Sequence, residues 1–423
     1  MTAIRQFIRT FFRIYDLIWV QAGILAVFFL VIDFACRLVS PLTYGTNTSD
    51  LEVINAYPEI PWLGDYYKAY NAMSGRWHPY SNWIANPVKS PYINIDDGGL
   101  RATWNVPRMR ASQTSKAIRL FVFGGSTTFG DNARDDYTIP SILAKHLATD
   151  VLVPVEVTNF GQEGYCGSQE TLLLEEQLRK GNIPDLVIFY DGANDVCTAF
   201  ENHQPGLTYD EISMRREFRL LNQENRLKLC ALAAYSFLRY SACGRTVEWF
   251  VDKVAHQWWA GVQARRFNSR LKETGISKDV AEPLTGQLED GVVHTYLFNK
   301  HAVQMMALQF GFRCLYFWQP ILFTKPKPSP TERSLVSGDL QDFPQLSRFF
   351  IETYRKLHKV GASEHVIDIS DTFANSEKSY YTDWAHVTEA GNELVVRKML
   401  PHVKALLADQ KWVSSREKPA ERP

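Results

Sequence analysis

Short apolar runs alternate with segments of helical periodicity through the second half of the chain. The runs occupy residues 118–123, 155–158, 186–190, 314–318 and 366–369, and the helical patterns occupy residues 140–148, 169–179, 296–310 and 390–407. Continuous apolar strands that alternate with helices are typical of a parallel sheet covered on both faces. The pattern therefore predicts a three-layer α/β/α sandwich around a central, mostly parallel five-stranded sheet, with a flavodoxin-like layout. Ligands in such sheets bind beyond the carboxyl ends of the strands.

The pattern also divides the rest of the chain. The sandwich is expected over residues 117–408, with a mostly helical insertion at about 200–293 between the third and fourth strands. The insertion carries an aromatic stripe that includes Trp249, Phe250 and Trp258. This stripe either packs onto the main domain or forms a lid or substrate wall. Two further segments lack clean periodicity: residues 39–116 are expected to form an irregular membrane-proximal segment, and residues 409–423 a disordered tail.

The N-terminal region contains one long apolar stretch. Residues 17–36 are twenty residues whose only charge is Asp33, and about twenty apolar residues span a bilayer core of roughly 30 Å. Three arginines precede the stretch and one follows it closely: Arg5, Arg9, Arg13 and Arg37. The positive-inside rule then predicts a cytoplasmic N-terminus at residues 1–16, a transmembrane helix at 17–38 and an extracytoplasmic remainder.

Three other interpretations of this stretch are less favoured. A cleaved signal peptide would have a shorter apolar core and a small-x-small exit. A lipoprotein cleavage site before Cys36 would require an aliphatic residue at the position that Asp33 occupies. A buried amphipathic helix would not be apolar on every face, as residues 28–32 are.

Composition excludes several function classes. Lys+Arg and Asp+Glu both total 46 in 423 residues, so the formal net charge is zero, and a nucleic-acid-binding face would need a basic excess. None of the six cysteines forms a CxxC pair, which argues against a zinc site. We expect no metal and no organic cofactor.

Four motifs follow strands or precede the last helix. They are the Gly-Gly-Ser turn at Ser126, the Gly-rich loop that reaches Gly164, the Asp-Gly-Ala-Asn-Asp segment at Asn194, and Asp383-Trp-Ala-His386. A glycine turn exposes a serine whose surrounding amides can donate to an oxyanion, and an Asn amide can do the same. An aspartate three residues before a histidine can orient its ring. The serine turn lacks the lysine of a P-loop and is not a GxSxG elbow.

Together the four motifs resemble those of the SGNH, or GDSL-like, hydrolases, whose Ser, Gly, Asn and His come from four blocks in this order. The resemblance covers residues 118–407 apart from the insertion. It implies that Ser126 is the nucleophile, that Asp383 and His386 complete a triad, and that the Ser126 amide, Gly164 and Asn194 form the oxyanion hole.

The first block departs from the family pattern. Where the family usually has Gly-Asp-Ser-Leu, this chain has Gly125 in place of the aspartate and Thr127 in place of the leucine. This form, together with the anchor and the Asp-Gly-Gly-Leu-Arg segment at residues 97–101, is similar to that of membrane-anchored bacterial members, which are often associated with cell-surface polysaccharides.

The resemblance implies a serine-dependent acyl- or acetyl-ester hydrolase that acts outside the cytoplasm on an acyl-ester substrate, such as acylated cell-surface polysaccharide. Three alternatives stay open: an O-acyltransferase of extracellular glycan, a lipid or thioester hydrolase, and a catalytically silent, membrane-tethered glycan-binding subunit. Cys166 and Cys197 follow the second and third blocks closely, so a disulfide bracing the oxyanion hole is a further hypothesis. Cys230 and Cys243 are a second hypothetical pair.

Overall fold

The computed structural model describes residues 48–106, 117–151, 154–212, 278–337 and 344–409, most of 19–37, Tyr15 and scattered positions from 214 to 246. The chain forms two compact units. One comprises Met1–Thr48 and Arg215–Arg265, and the other comprises Ser49–Met214 and Arg266–Pro423. The aromatic stripe of the expected insertion and the tail beyond residue 409 lie outside the described residues.

The first unit contains the helix α1 (Trp19–Arg37), which has a mean hydropathy of 2.1 and is long and apolar enough to cross a membrane; a signal sequence meets the same criterion. Its acidic residue, Asp33, is paired with Arg37 at 2.8 Å between Oδ2 and Nε, and its Oδ1 accepts the amide hydrogen of Cys243 at 3.1 Å. Pairing offsets the cost of a carboxylate in an apolar segment.

Nine strands and ten α-helices of the second unit have defined bounds among the described residues. The strands are β1 (Gly75–His78), β2 (Asn82–Ala85), β3 (Val88–Lys89), β4 (Asn94–Ile95), β5 (Ile118–Gly124), β6 (Val155–Asn159), β7 (Leu186–Asp191), β8 (Arg313–Trp318) and β9 (Ile367–Asp368). The helices are α2 (Thr48–Ala56), α3 (Leu63–Asn71), α4 (Ser126–Phe129), α5 (Ile139–Asp150), α6 (Gly167–Arg179), α7 (Ala193–Asn202), α8 (Lys278–Phe310), α9 (Pro330–Leu335), α10 (Pro344–Gly361) and α11 (Glu389–Leu407).

The central sheet has the strand order β6-β5-β7-β8-β9, and every neighbouring pair is parallel. Side chains alternate between its faces, as a strand requires. Along β5, Leu120 and Val122 pack in the core formed with α5 and α11, whereas Phe121 and Phe123 pack in the core formed with α6 and α8. The predicted α/β/α sandwich is confirmed. Its chain order reverses at β5, which places a crevice beyond the carboxyl ends of β5 and its neighbours.

Residues 48–106 are more ordered than their sequence pattern indicates. They form α2, α3 and two antiparallel hairpins, β1–β2 and β3–β4. Tyr57, Leu63 and Tyr66 are buried in one cluster with Phe129 of α4. The Tyr57 hydroxyl also donates to the carbonyl of Tyr381 at 2.5 Å. This segment therefore packs against the loops that follow β5 and precede α11.

The predicted helical insertion is confirmed: the described residues between 200 and 293 include helical positions at 211–212 and several from 214 to 246, followed by the beginning of α8. That helix runs unbroken from Lys278 to Phe310, so no structural boundary falls at residue 293. The pattern at residues 296–310 predicted only its second half.

Candidate active site

Three side chains from the first and last motifs form one hydrogen-bonded chain. Ser126 Oγ lies 2.6 Å from Nε2 of His386, and Nδ1 of the same ring lies 2.6 Å from Oδ2 of Asp383. The other carboxylate oxygen of Asp383 accepts the amide hydrogens of Ala385 and His386, each at 2.7 Å. The carboxylate is therefore fixed by its own loop, and it fixes the imidazole that faces the serine.

The local backbone explains why Ser126 faces the crevice. β5 ends at Gly124, Gly125 is extended at the N-cap, and Ser126 begins α4. Behind this turn lies the buried guanidinium of Arg101, which donates to the carbonyls of Gly130 at 2.6 Å and Ala133 at 2.5 Å. Several hydrogen bonds from one buried cation hold the loop after α4 in a single arrangement.

The electrostatics of the histidine and the aspartate are coupled. Burial acts to lower the pKa of His386, but the charge and hydrogen bond of Asp383, followed by the charges of Asp131 and Glu163, outweigh it and raise the pKa to about 9. Burial acts to raise the pKa of Asp383, but His386 and the two loop amides hold it below its usual value. The arrangement thus favours an ionised carboxylate beside an imidazolium.

Gly164 and Asn194 approach the serine from the neighbouring strand ends. Asn194 donates one Nδ2 hydrogen to the carbonyl of Tyr165 at 2.7 Å, and its second Nδ2 hydrogen has no acceptor among the residues that the structure describes. Gly164 has a φ of +69°, and a Cβ there would lie 3.0 Å from the ring of Tyr209. The hydrogen bond accounts for an asparagine at position 194, and the positive φ and the nearby ring account for a glycine at position 164. Within the part of the chain that the structure describes, the main-chain amides of Ser126 and Gly164 donate no hydrogen bond.

Three polar residues join the site that the sequence motifs did not indicate. Asp131 Oδ2 lies 3.6 Å from Nε2 of His386 and accepts the hydroxyl hydrogen of Tyr70 at 2.8 Å. Glu163 also lies beside Tyr70, and burial together with the Asp131 charge raises its pKa to about 7. Asp131 follows α4 and Glu163 directly precedes Gly164, so both adjoin the motifs in the sequence and could have been identified as candidates from it. Tyr70 comes from α3 and carries no motif.

These residues surround a cavity of about 220 Å³ that is open to solvent on one side. Its lining combines the serine and histidine with polar and aromatic side chains: Tyr70, Asp131, Glu163, Asn194, Tyr209, Gln319 and Trp384. Lys and Arg do not occur among the described lining residues. Such a volume holds a small acyl group together with part of a polar alcohol. No cluster of three His, Cys, Asp or Glu side chains suited to a metal ion occurs among the described residues.

The hypothetical disulfide between Cys166 and Cys197 is not formed, since Cys166 is a free thiol. The Cys166 sulfur lies 3.7 Å from the Gln169 side-chain oxygen and 3.8 Å from the Leu207 carbonyl. Cys197 instead contacts the hydroxyl of Tyr209. In the other hypothetical pair, Cys230 lies outside the described residues, and Cys243 is a free thiol beside Cys36.

No family model and no curated protein matches the chain. Solved structures with a similar fold include an acetyl xylan esterase (14% identity, covering 68% of this chain and 100% of that one, TM-score 0.33). A member of the lipolytic G-D-S-L family from Veillonella parvula has 11% identity, with 67% and 97% covered and a TM-score of 0.33. A catalytic mutant of an acetylxylan esterase from Geobacillus stearothermophilus has 13% identity, with 68% and 95% covered and a TM-score of 0.34.

The sequence resemblance and the geometry of the site agree with each other. The serine, glycine and asparagine blocks follow β5, β6 and β7, the histidine block precedes α11, and Ser126, Gly164, Asn194 and His386 line one cavity. In its fold and in the order of these blocks, the chain is similar to the SGNH, or GDSL-like, hydrolases.

Proposed function

We propose that the chain is a serine-dependent ester hydrolase that removes short acyl groups from hydroxyl-rich substrates such as acylated cell-surface polysaccharide. The observation that carries this proposal is the hydrogen-bonded chain Ser126–His386–Asp383, with 2.6 Å at each link, at the wall of a small cavity.

In the first half-reaction, Ser126 Oγ attacks the ester carbonyl carbon while its proton passes to Nε2 of His386. The carbonyl oxygen becomes an oxyanion within reach of the Ser126 and Gly164 amides and the free N–H of Asn194. When the tetrahedral intermediate collapses, the C–O bond to the alcohol breaks, and His386 returns the proton to the departing oxygen. Asp383 stays ionised throughout and stabilises the imidazolium.

In the second half-reaction, His386 removes a proton from water, and the resulting hydroxide attacks the acyl-serine. Collapse of this intermediate releases the carboxylic acid and restores the Ser126 hydroxyl. If a sugar hydroxyl takes the place of water, the same steps make a transferase. The choice depends on which acceptor reaches the cavity, because the protein groups involved are identical.

The cavity supports short rather than long acyl chains. A volume of about 220 Å³, bounded among the described residues by carboxyl, amide and phenol groups as well as Trp384, suits a short acyl group better than a fatty chain. A substrate outside the cytoplasm follows from a membrane-spanning role for Trp19–Arg37 with the preceding arginines inside. Polymeric glycans with O-acetyl groups meet both conditions.

The test is an ester series, from acetate to laurate, assayed with the purified full-length protein in detergent. We expect hydrolysis to be fastest for acetate and to fall with chain length, and Ser126→Ala to abolish it. Ser337→Ala removes an exposed serine hydroxyl and serves as the matched control. A labelled acetyl donor with soluble sugars then separates release to water from transfer. Full activity in Ser126→Ala, or a preference for laurate, would contradict the proposal.

A further inference from the structure

The Nε2 side of His386 faces a second acidic group that the hydrolytic mechanism above does not use. Asp131 Oδ2 lies 3.6 Å from Nε2, on the side of the ring opposite the Asp383 contact at Nδ1. The same Nε2 lies 2.6 Å from Ser126 Oγ. The proton that moves between serine and histidine therefore moves beside a carboxylate.

Asp131 is held in this position from both sides. Its carboxylate accepts the hydroxyl hydrogen of Tyr70 at 2.8 Å, and the main chain just before it, at Gly130, accepts from the buried Arg101. The side chain is only 9% exposed. Its position is therefore set by the fold and does not need the histidine to be charged.

The second carboxylate oxygen of Asp131 lacks the usual compensation. Oδ1 is buried and has no hydrogen-bond partner among the described residues. A buried carboxylate oxygen without a donor is costly unless a nearby positive charge offsets it. Burial is the largest influence on the pKa of Asp131 and raises it; the charge of His386, followed by the Tyr70 hydrogen bond and the charge of Arg101, acts to lower it.

Taking the hydrolytic role of Ser126 and His386 as proposed above, we propose that Asp131 is a positioning residue that holds the imidazolium of His386 from its Nε2 side. Two carboxylates, Asp383 at Nδ1 and Asp131 near Nε2, then stabilise the charged ring that forms when serine attacks. Asp131 takes up no proton itself. Its consequence is a stronger base whose neutral form is abundant only at alkaline pH.

The groups that face His386 come from three elements besides the serine turn. Asp383 lies on the same loop as His386, Asp131 lies on the loop after α4, and Glu163 lies on the loop after β6. Tyr70 of α3 contacts both Asp131 and Glu163. Burial and the carboxylates oppose each other at His386, and the carboxylates prevail. Removal of the Asp131 charge should therefore lower the pKa of His386.

The test is the pH dependence of kcat/KM in full-length Asp131→Asn, with acetate ester as substrate. Asparagine has the same shape and keeps an oxygen that can accept from Tyr70, so the fold should be retained; Asp131→Ser is the second charge-removing variant. We expect the acid limb of the profile to move down by about one pH unit, which raises activity at pH 7 about tenfold relative to the alkaline plateau. Asp131→Glu should restore most of the wild-type profile.

Asp136→Asn provides the matched control, because Asp136 is an exposed carboxylate in the same segment. It should leave the acid limb where it is in the wild type. An unchanged limb in Asp131→Asn and Asp131→Ser, with Ser126→Ala inactive, would overturn the role of Asp131 alone. Full activity in Ser126→Ala would instead overturn the proposed function.

Discussion

The side-chain amide of Asn194 occupies the space that a Cβ on Gly125 would need, since Nδ2 would lie only 2.1 Å from it. The residue before the serine, where the family pattern usually has aspartate, is therefore restricted to glycine in this chain. The departure of the first block from Gly-Asp-Ser-Leu thus has a structural cause. It lets the Asn194 amide approach the main chain beside Ser126.

Gly125→Ala should for this reason displace Asn194 and remove one oxyanion donor. We expect kcat to fall by about a hundredfold to a thousandfold, the usual effect of losing such a donor, with a smaller change in KM. The measurement is steady-state hydrolysis of an acetate ester. Gly286→Ala is the control, because a Cβ at Gly286 meets nothing within 4 Å. Normal turnover in Gly125→Ala would show that Asn194 has no part in stabilising the oxyanion.

Asp383→Asn should keep the loop geometry and lose the charge that orients His386. Asparagine can still accept from the amides of Ala385 and His386 through one oxygen, but its nitrogen would face Nδ1. We expect kcat to fall about 10⁴-fold, as in other triads with this change. Asp371→Asn, at an exposed aspartate, should have no effect on kcat. A loss of less than tenfold in Asp383→Asn would argue against the triad.

The activity of the wild-type protein should rise with pH up to about pH 9. His386 must be neutral to accept the serine proton, and its raised pKa, about 9, keeps it protonated at neutral pH. Below that pKa, kcat/KM should increase about tenfold per pH unit. A profile of kcat/KM between pH 5 and 10 measures this directly. A plateau that begins near pH 6.5, the ordinary histidine pKa, would contradict the charge arrangement around the ring.

The stability of the fold, unlike the activity, should fall as pH rises. Burial, as the largest cause, raises the pKa of Asp191 to about 8 and that of Asp195 to about 6. The folded state therefore binds more protons than the unfolded chain, and the resulting stability is full below about pH 4, the unfolded carboxyl pKa. It is lost as pH rises through 6 to 8. Thermal unfolding should give a Tm that falls over this range.

Asp191→Asn should flatten that decline, because an amide at this position carries no charge at any pH. Asp136→Asn, at an exposed carboxylate, should leave the slope as it is. A Tm that rises between pH 5 and pH 8 would be incompatible with buried protonated carboxyls at Asp191, the end of β7, and at Asp195, in the first turn of α7.

The sheet and the central residues of the site could be predicted from the sequence for a definite physical reason. Strands buried on both faces must be continuously apolar, as residues 118–123 and 186–190 are, and their ends identify where polar motifs meet. The helix α10 was not predicted, although Leu346, Phe350, Tyr354 and Leu357 recur there at helical spacing.

The contribution of residues 48–106 could not be predicted in this way. The helix α2 mixes polar and apolar residues, and α3 carries tyrosines beside charged residues, so no apolar stripe marks either helix. Tyr70 reaches Asp131 only because α3 packs on α4, and that packing depends on contacts between distant segments. Tertiary packing, rather than local pattern, thus positions the second acidic group beside His386.

The most direct test of the account is covalent labelling of the full-length protein with a fluorophosphonate, followed by mass spectrometry of its peptides. We expect one modified residue, Ser126, with labelling that is abolished in Ser126→Ala and slowed by orders of magnitude in His386→Ala. Modification of a different serine, or labelling of wild-type and His386→Ala protein at equal rates, would contradict the claim that Ser126 is a nucleophile activated by His386.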